Sequence, residues 1–160
     1  RVPTLHARAH ALLNITDDHL DRYADLDAYA EAKGNPFLRM TKDDVAVIPF
    51  GDPRIEAQAR RGSARIVTFS ATDAAADVAL AGDQILDRTS GATYPVSLLR
   101  IAGRHNLENA CASIALASTM GVPREALGSI ADAALLDHCH ATNPRTATRE
   151  DYLAMLESAW

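Results

Sequence analysis

Residues Ala11 to Tyr23 read ALLNITDDHLDRY. The first three are apolar and suit the end of a buried strand. The ten that follow pack an amide, a hydroxyl, three carboxylates, an imidazole and a guanidinium together. Such a run directly after a strand is what the mouth of an α/β active site looks like, because ligands gather at the carboxyl ends of the strands. Lys33 follows His19 by fourteen residues. Phosphate or metal chemistry at such a mouth normally also needs a loop that cradles phosphate.

Outward from this stretch, Ala9 to Ile15 reads as the strand that delivers the motif. Asp25 can cap a helix from Leu26 to Lys33, with Leu26, Tyr29 and Ala30 on one face and Gly34 ending it. Val45 to Ile48 is a short continuous apolar run, suited to a buried parallel strand. Gly51-Asp52-Pro53 turns the chain into a helix near Arg54 to Arg61, with Pro53 in its first turn. Arg65 to Phe69 is another strand. Val78-Ala79-Leu80, Ala81-Gly82-Asp83 and Ile85-Leu86 then read as a hairpin, and Tyr94 to Ile101 continues extended. Asn106 to Met120 is helical and stopped by Gly121, and Pro123 opens a further helix through Leu136. Thr148 to Trp160 suits an amphipathic helix, with Tyr152, Leu153, Met155 and Leu156 as its apolar side. Strands alternating with helices, plus a small antiparallel hairpin insert, make an α/β domain with a mostly parallel sheet.

The 160 residues fit one domain, able to bury roughly two thirds of its unfolded surface. Apolar residues at 48% and charged residues at 23% give the balance of a globular protein. A net charge of −5 argues against a nucleic-acid partner, which needs clustered cations. No apolar run reaches the 18 or so residues of a membrane span, and the first ten residues lack the apolar core of a signal peptide. Cys111 and Cys139 make no disulfide framework, so a cytoplasmic location is the simpler reading. The chain opens on Arg1, which suggests a piece of something longer. Its only lysines are Lys33 and Lys42, against fourteen arginines. Lys42 sits in the polar loop Thr41-Lys42-Asp43-Asp44 and reads as a solvated amine. Lys33 is set apart by its spacing from His19.

Taken alone, each polar cluster has a plainer reading beside the chemical one. Thr16 or Asp17 can cap a helix whose carboxylates the macrodipole favours, leaving His19 a surface imidazole. In GRHNLENA, 103–110, Asn106 and Asn109 lie three apart and share a face of the first turn. With His105 they could read the polar edge of a nucleobase. Singly, Asn106 as N-cap and Asn109 as a solvated residue is the better reading. His138-Cys139-His140 reads as a solvated loop, since zinc needs four well-spaced ligands, or three plus water.

The series changes the balance. NITDDHLDRY, YAEAK at 29–33, AVIPFGDP at 46–53 and GRHNLENACASIALA at 103–117 occur in that order. Together they resemble the central domain of the Mur ligases, the ATP-dependent amide ligases of peptidoglycan synthesis, from about Ala11 to Ala133. Within that family the branch adding D-glutamate is most similar. Folylpolyglutamate synthases share a DH pair, a downstream lysine and an HN helix, but the LDRY continuation favours the Mur branch. The resemblance implies a partial central, P-loop-like domain over 1–136, and a tail over 137–160 like the start of the ligase's C-terminal domain. It implies ATP and Mg²⁺ as cofactors, with His19 and Lys33 as catalytic and metal-side residues. Lys33 would serve as a carbamate, which makes chemical sense: CO₂ on a neutral amine yields an anionic oxygen group, and Mg²⁺ prefers oxygen. His105, Asn106 and Asn109 match the adenine-contacting helix start. Asp21 and Arg22 match motif positions without an assigned role. The implied substrates are UDP-N-acetylmuramoyl-L-alanine and D-glutamate, joined through an acyl phosphate.

Two departures stand against the pattern. None of the eight glycines is followed by lysine, so no G-x-x-x-x-G-K-[ST] loop exists in these residues. In the family that loop lies upstream of residue 1, and without its backbone donors this chain should bind ATP poorly alone. After Leu135 a GLPHR-like segment is missing, although HATNPRTAT at 140–148 resembles the family's following loop. Aligned there, the family lysine falls on His140 and the serine on Cys139, as in a decayed or internally deleted copy. Two expectations follow. One is half of an active site completed by a separate P-loop half. The other is a degenerate, non-catalytic fragment that binds a nucleotide or packs against a partner.

Overall fold

Residue alternation in two strands sorts the core into two layers. The computed structural model describes residues 5–16, 23–98, 103–121 and 148–159. Strand β2 (Val45–Pro49) lies between β1 (Ala9–Ala11) and β3 (Arg65–Ser70), parallel to both. Its Val45 and Val47, with Val67 and Phe69 of β3, face one apolar cluster; Ala46 and Ile48 face the other. Successive strand residues point to opposite faces, so a strand covered on both sides must be apolar throughout. That is why VAVI carries no polar residue.

Helices α1 (Leu26–Gly34) and α2 (Pro53–Ala59) form the crossovers and pack against each other. Both begin as expected: Asp25 accepts from the Ala28 N–H at 2.7 Å, and Asp52 accepts from Ile55 at 2.9 Å. Each satisfies an N–H that the helix leaves orphaned. Gly34, however, does not end the chain's helical run. It keeps right-handed dihedrals and passes into a 3₁₀ helix, Asn35–Arg39. Its role is close approach, since a Cβ there would lie 2.5 Å from Gln58 Oε1 and 2.7 Å from Gln58 Cβ. Gly62 is tighter still: a Cβ would come within 2.0 Å of the Phe37 carbonyl oxygen.

Strand β1 is shorter than Ala9 to Ile15, because the ladder ends where the Leu12 N–H donates to the Val47 oxygen at 3.0 Å. Beyond β3, the antiparallel hairpin β4 (Val78–Ala81) and β5 (Gln84–Asp87) turns at Gly82-Asp83, and β6 (Ala92–Pro95) completes a six-stranded sheet in sequential order. Gly82 has φ +64°, the positive value the first residue of such a turn requires. Strands β3 and β4 are parallel although only seven residues join them. They overlap for just two pairs, and the Asp77 carboxylate stands in for the missing ladder by accepting from the Thr68 N–H and hydroxyl, both at 2.8 Å. After β6 the chain turns into a 3₁₀ helix, Val96–Leu98, rather than staying extended.

Helix α3 (Arg104–Met120) covers the Val45/Val47/Phe69 face, two residues longer at its start than expected, and Gly121 stops it in the left-handed conformation. The Cys111 thiol over the Ser70 carbonyl and the Ser118 hydroxyl on Asp87 carry it from β3 towards the hairpin. The tail forms α4 (Arg149–Ala159), opened by reciprocal bonds between Thr148 and Asp151. Tyr152, Leu153 and Leu156 are half-buried there. The helix expected from Pro123 to Leu136 and the loop around His140 lie outside the described residues.

Candidate functional site

The rim at the carboxyl ends of β1, β2 and β3 is where the sheet can present chemistry. Past Leu12, Leu13 and Asn14 are exposed while Ile15 packs back on the core. Past β2, the Phe50 N–H donates to the Phe69 oxygen at 2.9 Å and the phenyl group stays exposed. Past β3, Ser70 Oγ accepts from the Thr72 and Asp73 N–H groups, both at 3.0 Å. These backbone N–H groups of the rim are thus satisfied locally. His19, Asp21 and Arg22 lie outside the described residues.

Lys33 occupies the last turn of α1 and is exposed, its Nζ 5.5 Å from the centre of the Tyr29 ring. Tyr29 in turn lies 5.1 Å from Tyr23. One turn beyond Lys33, the buried Phe37 meets the edge of His10, ring centres 4.8 Å apart at 72°. His10 projects from β1 towards the same side, half-buried. Burial first, and the Lys33 charge second, push its pKa below the ordinary imidazole value. Its Nε2 is buried and has no hydrogen-bond partner among the described residues. The sequence reading passed over His10; a lone imidazole inside a small apolar strand was the available signal.

On the other face, the first turns of α3 carry the second candidate group. Gly103, not Asn106, is the N-cap: the Asn106 and Leu107 N–H groups donate to its carbonyl at 3.1 and 3.2 Å. That removes the plainer explanation of Asn106 as a cap. Asn106 and Asn109 are half-buried on one face, and His105 beside them is exposed. The Asn109 backbone carbonyl accepts from Ser113 Oγ at 2.8 Å, so the amide side chain is not needed to close that turn. Because α1 and α3 cover opposite faces of the sheet, Lys33 and the His105/Asn106/Asn109 group are not brought together directly. A ligand touching both would have to pass over the end of the sheet.

Two buried carboxylates elsewhere are structural. Asp44 sits just before β2 and accepts from the Thr41 N–H at 2.7 Å and the Thr41 hydroxyl at 2.9 Å, with His6 Nε2 at 2.6 Å. The His6 hydrogen bond and then the Thr41 N–H hold its pKa down to about 2. Asp87 ties the β5–β6 turn to α3. Burial pushes its pKa up, but hydrogen bonds from Ser118, Ser90 and Thr89 outweigh that and leave it below the usual value. Cys111 is driven the other way, its thiol pushed up to about 12 chiefly by burial, which makes it inert as a nucleophile.

Among the described residues, no three His, Cys, Asp or Glu side chains cluster as a metal site. Lys33 as an ammonium would repel Mg²⁺; only as an oxygen-bearing carbamate does it suit that ion.

A family model described as the Mur ligase middle domain matches residues 1–117. A UDP-N-acetylmuramoylalanine–D-glutamate ligase from Anaeromyxobacter dehalogenans is 39% identical over 143 residues, covering 82% of this chain and 31% of that protein. The ligase of the same name from Desulfosudis oleivorans is 32% identical over 167 residues, covering 91% and 36%. Among solved structures, MurF from Acinetobacter baumannii aligns with a TM-score of 0.59 at 25% identity, over 74% of this chain and 27% of that one. The chain spans about a third of the length of the curated relatives it matches.

Proposed function

The chain belongs to the Mur ligase family through its middle domain, and from that premise we propose that it forms the metal- and adenine-side half of a D-glutamate-adding ligase. The observation that carries the reading is the 39% identity to such a ligase over most of the chain. The order of the described strands supports a half-site. It never reverses from β1 to β6. Ligands of open α/β sheets bind where the order does reverse, and the described strands hold no such point. Residues 137–160 are read as the start of the following domain, from the likeness of HATNPRTAT at 140–148 to that domain's opening loop.

In the proposed reaction a carboxylate oxygen of UDP-N-acetylmuramoyl-L-alanine attacks the γ-phosphorus of ATP, and ADP leaves. The neutral amine of D-glutamate then attacks the acyl carbon, its nitrogen gives up a proton to solvent, and phosphate departs with the C–O bonding pair, leaving the amide. His19 and the carbamate of Lys33 would hold Mg²⁺, which when bound neutralises charge on the transferring phosphoryl group. Asn106 and Asn109 would orient the adenine by amide hydrogen bonds, with His105 at its edge. Phosphate cradling falls to residues this chain lacks, as none of its eight glycines precedes a lysine.

That last fact also supports the second reading, a non-catalytic fragment that packs against a partner. The two are separated by complementation. When the chain is joined to the P-loop-bearing half of a relative, ATP-dependent amide formation should appear and should depend on Lys33. A fragment without a catalytic role would give a complex whose activity ignores Lys33→Ala.

A further inference from the structure

We infer that Ser118 is a positioning residue for the start of α3, its bond to Asp87 setting where that helix holds Asn106 and Asn109. The inference rests on the reading of those two amides as adenine-orienting groups. Packing alone leaves the placement of α3 loosely specified. Its buried side chains are Ala110, Cys111, Ala112, Ile114 and Ala115, so Ile114 is the one large group among them. A helix takes its register from side chains that interdigitate with the neighbouring surface, and a run of small residues offers few of them. The start of the helix adds little, since Gly103 caps it without a side-chain bond.

Directional bonds supply what packing does not. The hydroxyls of Ser113 and Thr119 turn back to carbonyls of their own helix, at 2.8 Å each. The Cys111 thiol reaches the Ser70 carbonyl at 3.7 Å, as a weak donor. The Ser118 hydroxyl donates to a carboxylate oxygen of Asp87 on β5. Bonds to an ionised acceptor are about twice as strong as neutral ones. Asp87 is itself held in place. It is buried, and it accepts from the Thr89 N–H at 2.8 Å and from the Thr89 and Ser90 hydroxyls at 2.6 Å each. The hairpin thus presents a fixed point to which α3 is tied. Asn109 lies nine residues before Ser118, about 13 Å along a helix rising about 1.5 Å per residue. Over so short a length a helix moves as one body, so a slip at Ser118 is a slip at both amides.

The test is adenosine titrated into the full chain, followed by the side-chain amide signals of Asn106 and Asn109 in ¹⁵N NMR. Adenosine carries no phosphate and so does not call on the phosphate loop. In the unsubstituted chain a saturable shift is expected, and Asn106→Ala or Asn109→Ala should abolish it at the amide that remains. Ser118→Ala should weaken adenosine binding roughly fivefold, the low end of coupling between separate sites. Ser118→Thr keeps the hydroxyl and should bind as the unsubstituted chain does. Ser118→Cys, similar in size but a weaker donor, should fall between the two, and serves if the alanine variant fails to fold. Equal affinity in all the folded Ser118 variants, whatever their stability, overturns the role of Ser118 and leaves the two amides as they are. No saturable shift in the unsubstituted chain, or one that both asparagine substitutions leave unchanged, overturns the adenine reading and the inference with it.

Discussion

The proposed chemistry turns on Lys33, and its surroundings were only partly legible in the sequence. Its position on the last turn of a helix capped by Asp25 follows from local signals, and the helix formed as those signals direct. The neighbourhood of His10 and Phe37 did not follow, because a contact between β1 and a 3₁₀ turn 27 residues later leaves no local periodicity. Within a completed ligase, Lys33→Ala should reduce amide formation to background, and added formate or acetate should restore part of it by taking the carbamate's place. Full activity in the variant would remove Lys33 from the site. A second residue-scale expectation concerns Asp44. Its folded pKa of about 2 lies below the ordinary carboxylate value, so its contribution is complete above about pH 4 and is lost as pH falls towards 2. Asp44→Asn should flatten the acid limb of stability measured by urea midpoints between those values. Asp87→Ala strips the common acceptor from Thr89, Ser90 and Ser118 and should cost about 3 kcal/mol, read by denaturant unfolding.

At the scale of elements, capping and apolar runs carried most of the reading. Val45–Ile48, the Pro53 helix, the Gly82 hairpin and the Gly121 stop all stand where turn and cap chemistry place them. Gly34 does close the α-helix as expected, and close contact with Gln58 is a second reason for glycine there. β1 stops early because its ladder with β2 runs out at Val47. Asn106 looks like a cap until Gly103 takes that place. Contact of this kind also makes a prediction about packing. Gly62→Ala would drive a methyl group into the Phe37 carbonyl, a backbone atom that cannot swing aside, and should cost about 3 kcal/mol. Gly34→Ala meets Gln58, whose Oε1 can move but whose Cβ at 2.7 Å cannot; with no backbone atom as near as 2.0 Å, it should destabilise by less than Gly62→Ala. Comparing their thermal midpoints checks the order, and equal losses would contradict the assigned packing.

Across the whole molecule, the α/β class and the two-layer core were legible because both faces of the central strands had to be apolar. The joint site was not. The motif after Asn14, Lys33 and the Asn106/Asn109 turn lie far apart in sequence, and the structure puts the last two on opposite faces of the sheet. Only family resemblance linked them, and the family match over residues 1–117 bears out the membership. What remains proposed is that these faces serve one site, closed by phosphate-binding residues outside this chain. ATP-dependent phosphate release, measured with UDP-N-acetylmuramoyl-L-alanine, D-glutamate and Mg²⁺, tests that most directly. The expected result is background release from the chain alone and clear release once it is joined to the P-loop half of a relative. Sustained turnover by these 160 residues alone would contradict it.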